Sequence, residues 1–372
     1  MSHYLLIGSG LIGRLTAWRL LEAGHDVAIL SNDDRRGSDS AGYAAAGMVA
    51  PATEAISGGA LLKTMGQRSL QLWSQWLKEL CGPVFYQQHG TLVVAHAADQ
   101  SEMERFQRQA DYRLEAADFH LLDKQALHAR EAELADRFQQ ALYFPAEACL
   151  DNRQLYQQLE ALLSAHSNWQ HCEPIGHLDA QSIDSLCRRY LDCAGSTFDA
   201  VLDCRGNGGK ANLATLRSVR GEILRVHAPA VDFRHAIRLL HPRYPLYLAP
   251  RADHYVLGAT VIESDDRSPI SVRSALELLS ALYSLHPGFA EARVQDMGSH
   301  CRPALPHNLP TIDRRAWGYC VNGFYRHGYL LGPAVVEDLL TLLENPHEPL
   351  HFGDLYDIQP IRNSLQQANA GD

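Results

Sequence analysis

The run Tyr4-Leu5-Leu6-Ile7 passes directly into Gly8-Ser9-Gly10-Leu11-Ile12-Gly13, after which apolar residues recur at helical spacing as far as Ala23. An apolar strand, a glycine-rich turn and a helix open a βαβ unit whose helix N-terminus can hold a pyrophosphate. Gly8 permits the tight turn, Gly10 admits phosphate oxygens to the backbone, and Gly13 lets the helix lie close to the strand. Gly24-His25 then ends the helix, and Asp26 to Leu30 supplies a second strand. An accidental glycine cluster is the alternative, and the strand and helix on either side weigh against it. Such an opening commits the chain to a parallel α/β sheet around a dinucleotide, and leaves open which one.

A length of 372 residues exceeds one ordinary core, so two domains are expected. The 33 Lys+Arg against 43 Asp+Glu give a formal charge of -10, which offers no attraction to nucleic acid or to anionic membranes. No apolar stretch reaches membrane-spanning length, and Met1-Ser2-His3 leads into the first strand with no signal region, so the cytoplasm is the expected location. Eight cysteines without a CxxC pair read as reduced thiols. Nineteen histidines contain no HExxH and no Cys/His set at ligand spacing, so no metal is expected.

Helices are predicted over 66–80, 100–110, 151–166, 271–286 and 328–344, and strands over 91–95, 198–204, 221–226, 255–260 and 319–322. The strand that ends at Cys204 meets the turn Arg205-Gly206-Asn207-Gly208-Gly209, which is placed with the cofactor site. Strand-rich blocks interrupt the α/β pattern twice, so the second domain is read as inserted.

Three distant segments invite a common explanation. Small residues at Ala44-Ala45-Ala46-Gly47-Met48 would let a flat ring lie against backbone, although an alanine-rich helix start fits them equally well. Ser299 to Pro306 and Asn322 to Pro333 each set one arginine, Arg302 or Arg326, among apolar, glycine and proline residues. Arginine cannot shed its charge, so burial demands an anion, and its fork matches a carboxylate. For either arginine alone an ordinary salt bridge is the commoner fate. His327-Gly328-Tyr329-Leu330 opens the last helix, whose free N–H groups would stabilise negative charge on a ligand facing them.

Together these motifs resemble the D-amino-acid-oxidase-type flavoproteins, and within them the glycine oxidases of thiamine synthesis. The resemblance rests on GSGLIG at Gly8, AAAGM at Ala44, VRGE at Val219, LYLAPR at Leu246, GAT at Gly258, CRPALPHNLPTID at Cys301 and NGFYRHGYLLGP at Asn322. It implies an α/β plus α+β fold. A Rossmann-like FAD-binding domain (1–80, 141–215 and 298–372) would carry an inserted, mostly antiparallel substrate domain (81–140 and 216–297). It also implies non-covalent FAD. Contacts would come from Gly8, Ser9, Gly10, Leu11, Ile12 and Gly13, from Ser31 and Asp33, from Ala45 to Met48, from Cys204, Arg205 and Gly206, and from Arg302, Arg326, His327, Gly328, Tyr329 and Leu330.

By the same resemblance Arg302 pairs with an amino-acid carboxylate, Tyr247 hydrogen-bonds that group, and Arg326 and Met48 line the substrate pocket. The implied reaction transfers hydride from the α-carbon of a small amino acid or amine to the flavin N5. An imine results, then a 2-oxo acid and ammonia, with O2 reduced to hydrogen peroxide. Two other functions are carried beside it, a dehydrogenase of the same fold that uses a quinone or carrier and a flavoprotein partner subunit without turnover. Homo-oligomerisation is left open. Two departures stand out. Ser31 occupies the strand end where an acid normally takes the adenine ribose, with Asp33 as the weaker candidate. Cys301 precedes Arg302, which makes a covalent flavin link the minority expectation.

Overall fold

The computed structural model describes residues 1–241 and 246–358, so the end of the expected FAD-binding segment, 359–372, and residues 242–245 of the strand-rich block lie outside the described residues. His3–Ile7 is central to a six-stranded sheet among the described residues, pairing in parallel with Asp26–Ser31 on one side and Ala200–Asp203 on the other. Beyond these lie Asn168–His171 and Gly318–Asn322, both parallel, and Thr311–Arg315 closes one edge as an antiparallel hairpin.

Alternation along the first strand explains why this sheet is buried on both faces. Tyr4 and Leu6 join the core formed with helices Leu11–Glu22 and Gly328–Glu344, while Leu5 and Ile7 face helix Ala180–Tyr190 through Ile183 and Cys187. Successive side chains point to opposite faces of a strand, so an unbroken apolar run needs a helix layer on each side.

A second sheet, nine-stranded among the described residues, is mostly antiparallel. Its order runs from Ile262–Glu263 through Arg217–His227, Tyr255–Gly258, Leu246–Pro250, Ala236–Leu240, Thr91–Ala95 and Gln140–Phe144 to His120–Asp123. Thr91–Ala95 and Ala236–Leu240 form its parallel pair. Arg293–Ala304 adds to Arg217–His227 as a long antiparallel ladder that runs back toward the nucleotide sheet. Helix Val272–Leu285 covers one face of this sheet through Leu278, Leu282 and Leu285. Helices Pro51–Gly58 and Gln100–Arg113 pack on the other through Ile56, Met103 and Phe106.

The strand Thr91–Ala95 and the helix Gly328–Glu344 coincide with their predicted spans. The helix expected over 66–80 instead runs Ala60–Trp76, because Gly59 at φ +88° lets the chain turn out of the preceding helix six residues earlier. The Ala44 run is no helix start. It passes through turns into the short strand Met48–Val49, and a helix begins only at Pro51, a residue whose fixed φ suits a first helical turn.

Two glycines in the opening turn are sterically required. Gly8 sits at φ +102°, and a Cβ at Gly13 would fall 2.0 Å from the Gly8 carbonyl oxygen. Because backbone blocks that Cβ, Gly13→Ala is expected to lower unfolding free energy by about 1–3 kcal/mol, the usual cost of overpacking, in a denaturant titration.

Candidate cofactor and active site

A cavity of about 460 Å³ runs between the two sheets, from Asp33 past the turn at Gly8 to Ile12 and on to Glu54 and Tyr247. Every site residue expected from sequence lines it except Gly13, which acts from behind by letting the helix approach Gly8. The helix Leu11–Glu22 starts from Gly10 with no side-chain cap, so its first N–H groups remain free to receive an anion.

At the Asp33 end the two candidates for the ribose part company. Ser31 Oγ accepts from Ser9 Oγ at 2.6 Å and from the Asp33 N–H at 3.2 Å. Asp33 Oδ1 accepts the Asp34 and Asp39 N–H groups at 2.8 and 3.0 Å, whereas Oδ2 is buried without a partner among the described residues. Burial pushes the Asp33 carboxyl up, outweighing those two N–H groups. The loop that presents it is held by Arg14, a fully buried arginine absent from the sequence reading. Arg14 donates to Ser9 O at 2.8 Å and Arg35 O at 2.6 Å, and its guanidinium lies 4.7 Å from the Tyr156 ring centroid and 4.9 Å from that of Trp169. A charged residue on the apolar face of the first helix was the available signal.

Arg205 lines the cavity, but its guanidinium is spent on the fold. It forks onto Asp203 with two 2.8 Å bonds and donates to the carbonyls of Ile175 and Gly176 at 2.8 and 2.6 Å. Cys301 points its thiol at the carbonyls of Ser264 and Asp266, 3.5 and 3.3 Å away, and burial pushes that thiol up. A protonated donor results, not the thiolate that flavin attachment requires.

At the opposite end Arg302 sits in the ladder across from Val219, with its guanidinium resting on Gly221. A Cβ at Gly221 would lie 1.8 Å from Arg302 Nη2. Its hydrogen-bond partners among the described residues are two carbonyls, Arg220 O at 3.4 Å and Thr260 O at 3.2 Å, and none is a carboxylate. Burial pushes its pKa down to about 10, so at neutral pH it stays charged in a poorly solvated place and favours an anion beside it.

The other expected residues converge on an acid that the sequence reading did not single out. Glu54, on Pro51–Gly58, accepts from the Tyr247 hydroxyl on Oε1 and from Arg326 on Oε2, with Arg238 3.9 Å from Oε1. Burial raises its pKa, but Arg326, His327 and Arg238 outweigh burial and hold it well below the usual carboxylate range. Tyr247 therefore has its proton committed to Glu54 rather than free for a carboxylate. His327 Nε2 lies 3.0 Å from Glu54 Oε2, and burial lowers the histidine pKa. Arg326 Nε also donates to His327 Nε2 at 3.3 Å, and His327 Nδ1 is buried without a partner among the described residues. With Arg302, Arg326 and Arg238 set against Glu54, this end of the cavity is cationic.

Residues 3–340 match the family of FAD dependent oxidoreductases (DAO). Over 343 residues the chain is 38% identical to a Rhizobium etli protein named as a thiamine biosynthesis oxidoreductase, ThiO, covering 91% of this chain and 95% of that one. It is 26% identical over 374 residues to the bifunctional protein ThiO/ThiG of Nostoc sp., covering 94% of this chain and 54% of that longer protein. The fold is that of glycine oxidase from Geobacillus kaustophilus, with a TM-score of 0.79, 21% identity and coverage of 97% of this chain and all of that one.

Beneath Glu54 lies a second acid, Glu147, which accepts from the Thr53 N–H at 2.7 Å and Thr53 Oγ1 at 3.1 Å. Burial, with Glu54 adding to it, pushes its pKa up to about 7. A carboxyl whose pKa is raised on folding holds its proton longer in the native state, so stability falls as pH rises from about 4.5 to about 7 and then levels. Glu147→Gln is expected to remove up to about 3 kcal/mol of that decline, read as a flatter melting temperature against pH than the wild type gives.

Proposed function

The chain belongs to the FAD dependent oxidoreductase (DAO) family, and on that premise we propose that it oxidises the C–N bond of a small α-amino acid of the glycine or sarcosine type. The observation that carries this reading is Arg302, a part-buried guanidinium at the cavity end with no carboxylate partner among the described residues. Relatives named as ThiO and glycine oxidase support the choice of substrate class.

The channel fits FAD on its own chemistry. The uncapped start of Leu11–Glu22 suits the pyrophosphate, and the unpartnered Asp33 Oδ2 suits the adenine ribose hydroxyls. Ser31, tied to Ser9, takes no such part in this reading. Gly47 at φ +62° presses against Leu150, where a Cβ would meet a carbonyl at 2.2 Å, so the small-residue run lies flat along the cavity wall. The start of Gly328–Glu344, with no side-chain cap, faces the same wall and favours negative charge there. When bound, FAD supplies the two-electron acceptor, taking a hydride from the substrate α-carbon and passing the electrons to O2.

The protein's own work is binding and orientation. Arg302 takes the substrate carboxylate and so fixes the α-carbon in the cavity. Glu54 stays ionised because its cationic neighbours hold its proton off, and it therefore acts as a fixed negative charge rather than as a base. It locks Tyr247 and Arg326 in place, and the Tyr247 oxygen keeps a lone pair for a substrate amine N–H. No side-chain base is needed, since the neutral amine itself supplies the electron push. Amino acid, O2 and water are converted to 2-oxo acid, ammonia and hydrogen peroxide. Eight free thiols suit a reducing cytoplasm. Among the described residues no helix is long and apolar enough to cross a membrane.

A panel of glycine, sarcosine, D-alanine, D-proline and bulkier amines, read by peroxide release, tests the reaction; small amino acids should turn over fastest. Flavin bleached by substrate under anaerobic conditions without peroxide in air would point instead to a dehydrogenase. Arg302→Ala should raise KM at least about 30-fold, the lower end of the cost of removing a buried charge partner. Asp33→Ala should weaken FAD binding about tenfold in a reconstitution titration of the apoprotein, as loss of a charged hydrogen bond implies.

A further inference from the structure

Between Glu263 and Ser271 the chain leaves the nine-stranded sheet, and Asp265 and Arg267 in this stretch line the cofactor channel. The segment 264–269 is fixed firmly from behind. Arg220 donates to the carbonyls of Asp266 and Ser268, both at 2.8 Å, and of Pro269 at 3.0 Å, while Glu222 holds the same guanidinium at 2.8 Å. Ser299 Oγ donates to Ser268 O at 2.6 Å, and the Cys301 thiol reaches the carbonyls of Ser264 and Asp266. These anchors all sit on the ladder formed by Arg217–His227 and Arg293–Ala304.

The segment's outward side chains reach two separate loops of the nucleotide-binding sheet. Asp265 pairs with Lys210, just after the turn Gly206–Gly209, and Arg267 pairs with Asp39, in the loop that carries Asp33. His300 reinforces the second contact, with Nε2 2.9 Å from Asp39 O and 3.0 Å from Arg267 Nη2. All five residues line the channel. The charges matter as much as the reach. Asp39 and Asp265 would repel a diphosphate at the mouth, and pairing each with a cation neutralises that field while closing the gap.

We propose that residues 264–269 form a clasp over the FAD channel, fastened by Lys210–Asp265 and Arg267–Asp39, and that FAD leaves only when both fasteners open. The proposal rests on FAD being the cofactor, and it makes the rate of cofactor loss a property of two ion pairs remote from the substrate. Arg267 and Asp39 expose 51% and 58% of their side chains and Asp265 74%, so the fasteners are weak one at a time and open to screening by salt.

The test is release of FAD from the holoenzyme on dilution, followed by the rise in free-flavin fluorescence. Yellow wild-type holoenzyme checks the cofactor assignment separately from the clasp. Asp265→Lys should speed release about three- to tenfold, and Arg267→Gln about as much. The exchanged pair Lys210→Asp with Asp265→Lys should return the rate to within about twofold of wild type. Raising salt should speed release from wild type and have little effect on the double variant Asp265→Asn with Arg267→Gln. An unchanged apoprotein melting temperature in these exposed variants separates clasp loss from misfolding. Release rates that stay at the wild-type value in Asp265→Lys and Arg267→Gln would overturn the proposal. So would an exchanged pair that fails to restore retention, because Lys210 would then act on the cofactor directly.

Discussion

The antiparallel ladder between Arg217–His227 and Arg293–Ala304 is the contact on which the rest of the molecule depends. It belongs to the nine-stranded sheet by hydrogen bonding, yet one end of it lies against the nucleotide turn through Asn207, which donates to Cys301 O at 2.7 Å. Register then decides chemistry. Because Val219 faces Arg302 and Gly221 faces His300, the guanidinium of Arg302 folds over a residue without a side chain and arrives at the cavity end. A slip of one residue would send every side chain of the strand to the opposite face.

Glu54 and Glu147 illustrate how neighbours, rather than burial, decide the state of an acid. Both are fully or nearly buried, and burial alone raises the pKa of each. Glu54 is surrounded by Arg326, His327 and Arg238 and stays ionised, whereas Glu147 has only threonine and backbone donors and holds its proton toward neutrality. Two carboxyls on either side of Thr53 thus carry different charges near neutral pH, which keeps the cavity end cationic without a bare negative charge behind it.

Much of the nucleotide half was legible because its signals are local. Gly8, Gly10 and Gly13 lie within one turn, and apolar spacing marks the flanking strand and helix. Arg302 and Arg326 were legible as charges in apolar surroundings, but their partners were not. Glu54 meets Tyr247 and Arg326 across 193 and 272 residues of chain, and no spacing rule reaches that far. That Ser31 is engaged while Asp33 keeps an unpartnered oxygen among the described residues was hidden for a similar reason, since the Ser9 hydroxyl bonded to Ser31 lies on another turn. Residues 264–269 carry no local signal of their role, and only the fold brings Arg220 onto three of their carbonyls.

The thiols have a consequence for the chemistry around them. Cys149, Cys172, Cys187, Cys204, Cys301 and Cys320 are all buried, and burial drives every one of them toward the protonated form. Peroxide attacks thiolates that it can reach, and burial holds these six in the thiol form, including Cys204 and Cys301 at the cavity wall. Cys81, exposed, lies after the helix Ala60–Trp76 and outside the cavity lining. In the reaction proposed above, peroxide would form beside sulfur that is held in its less reactive, protonated form.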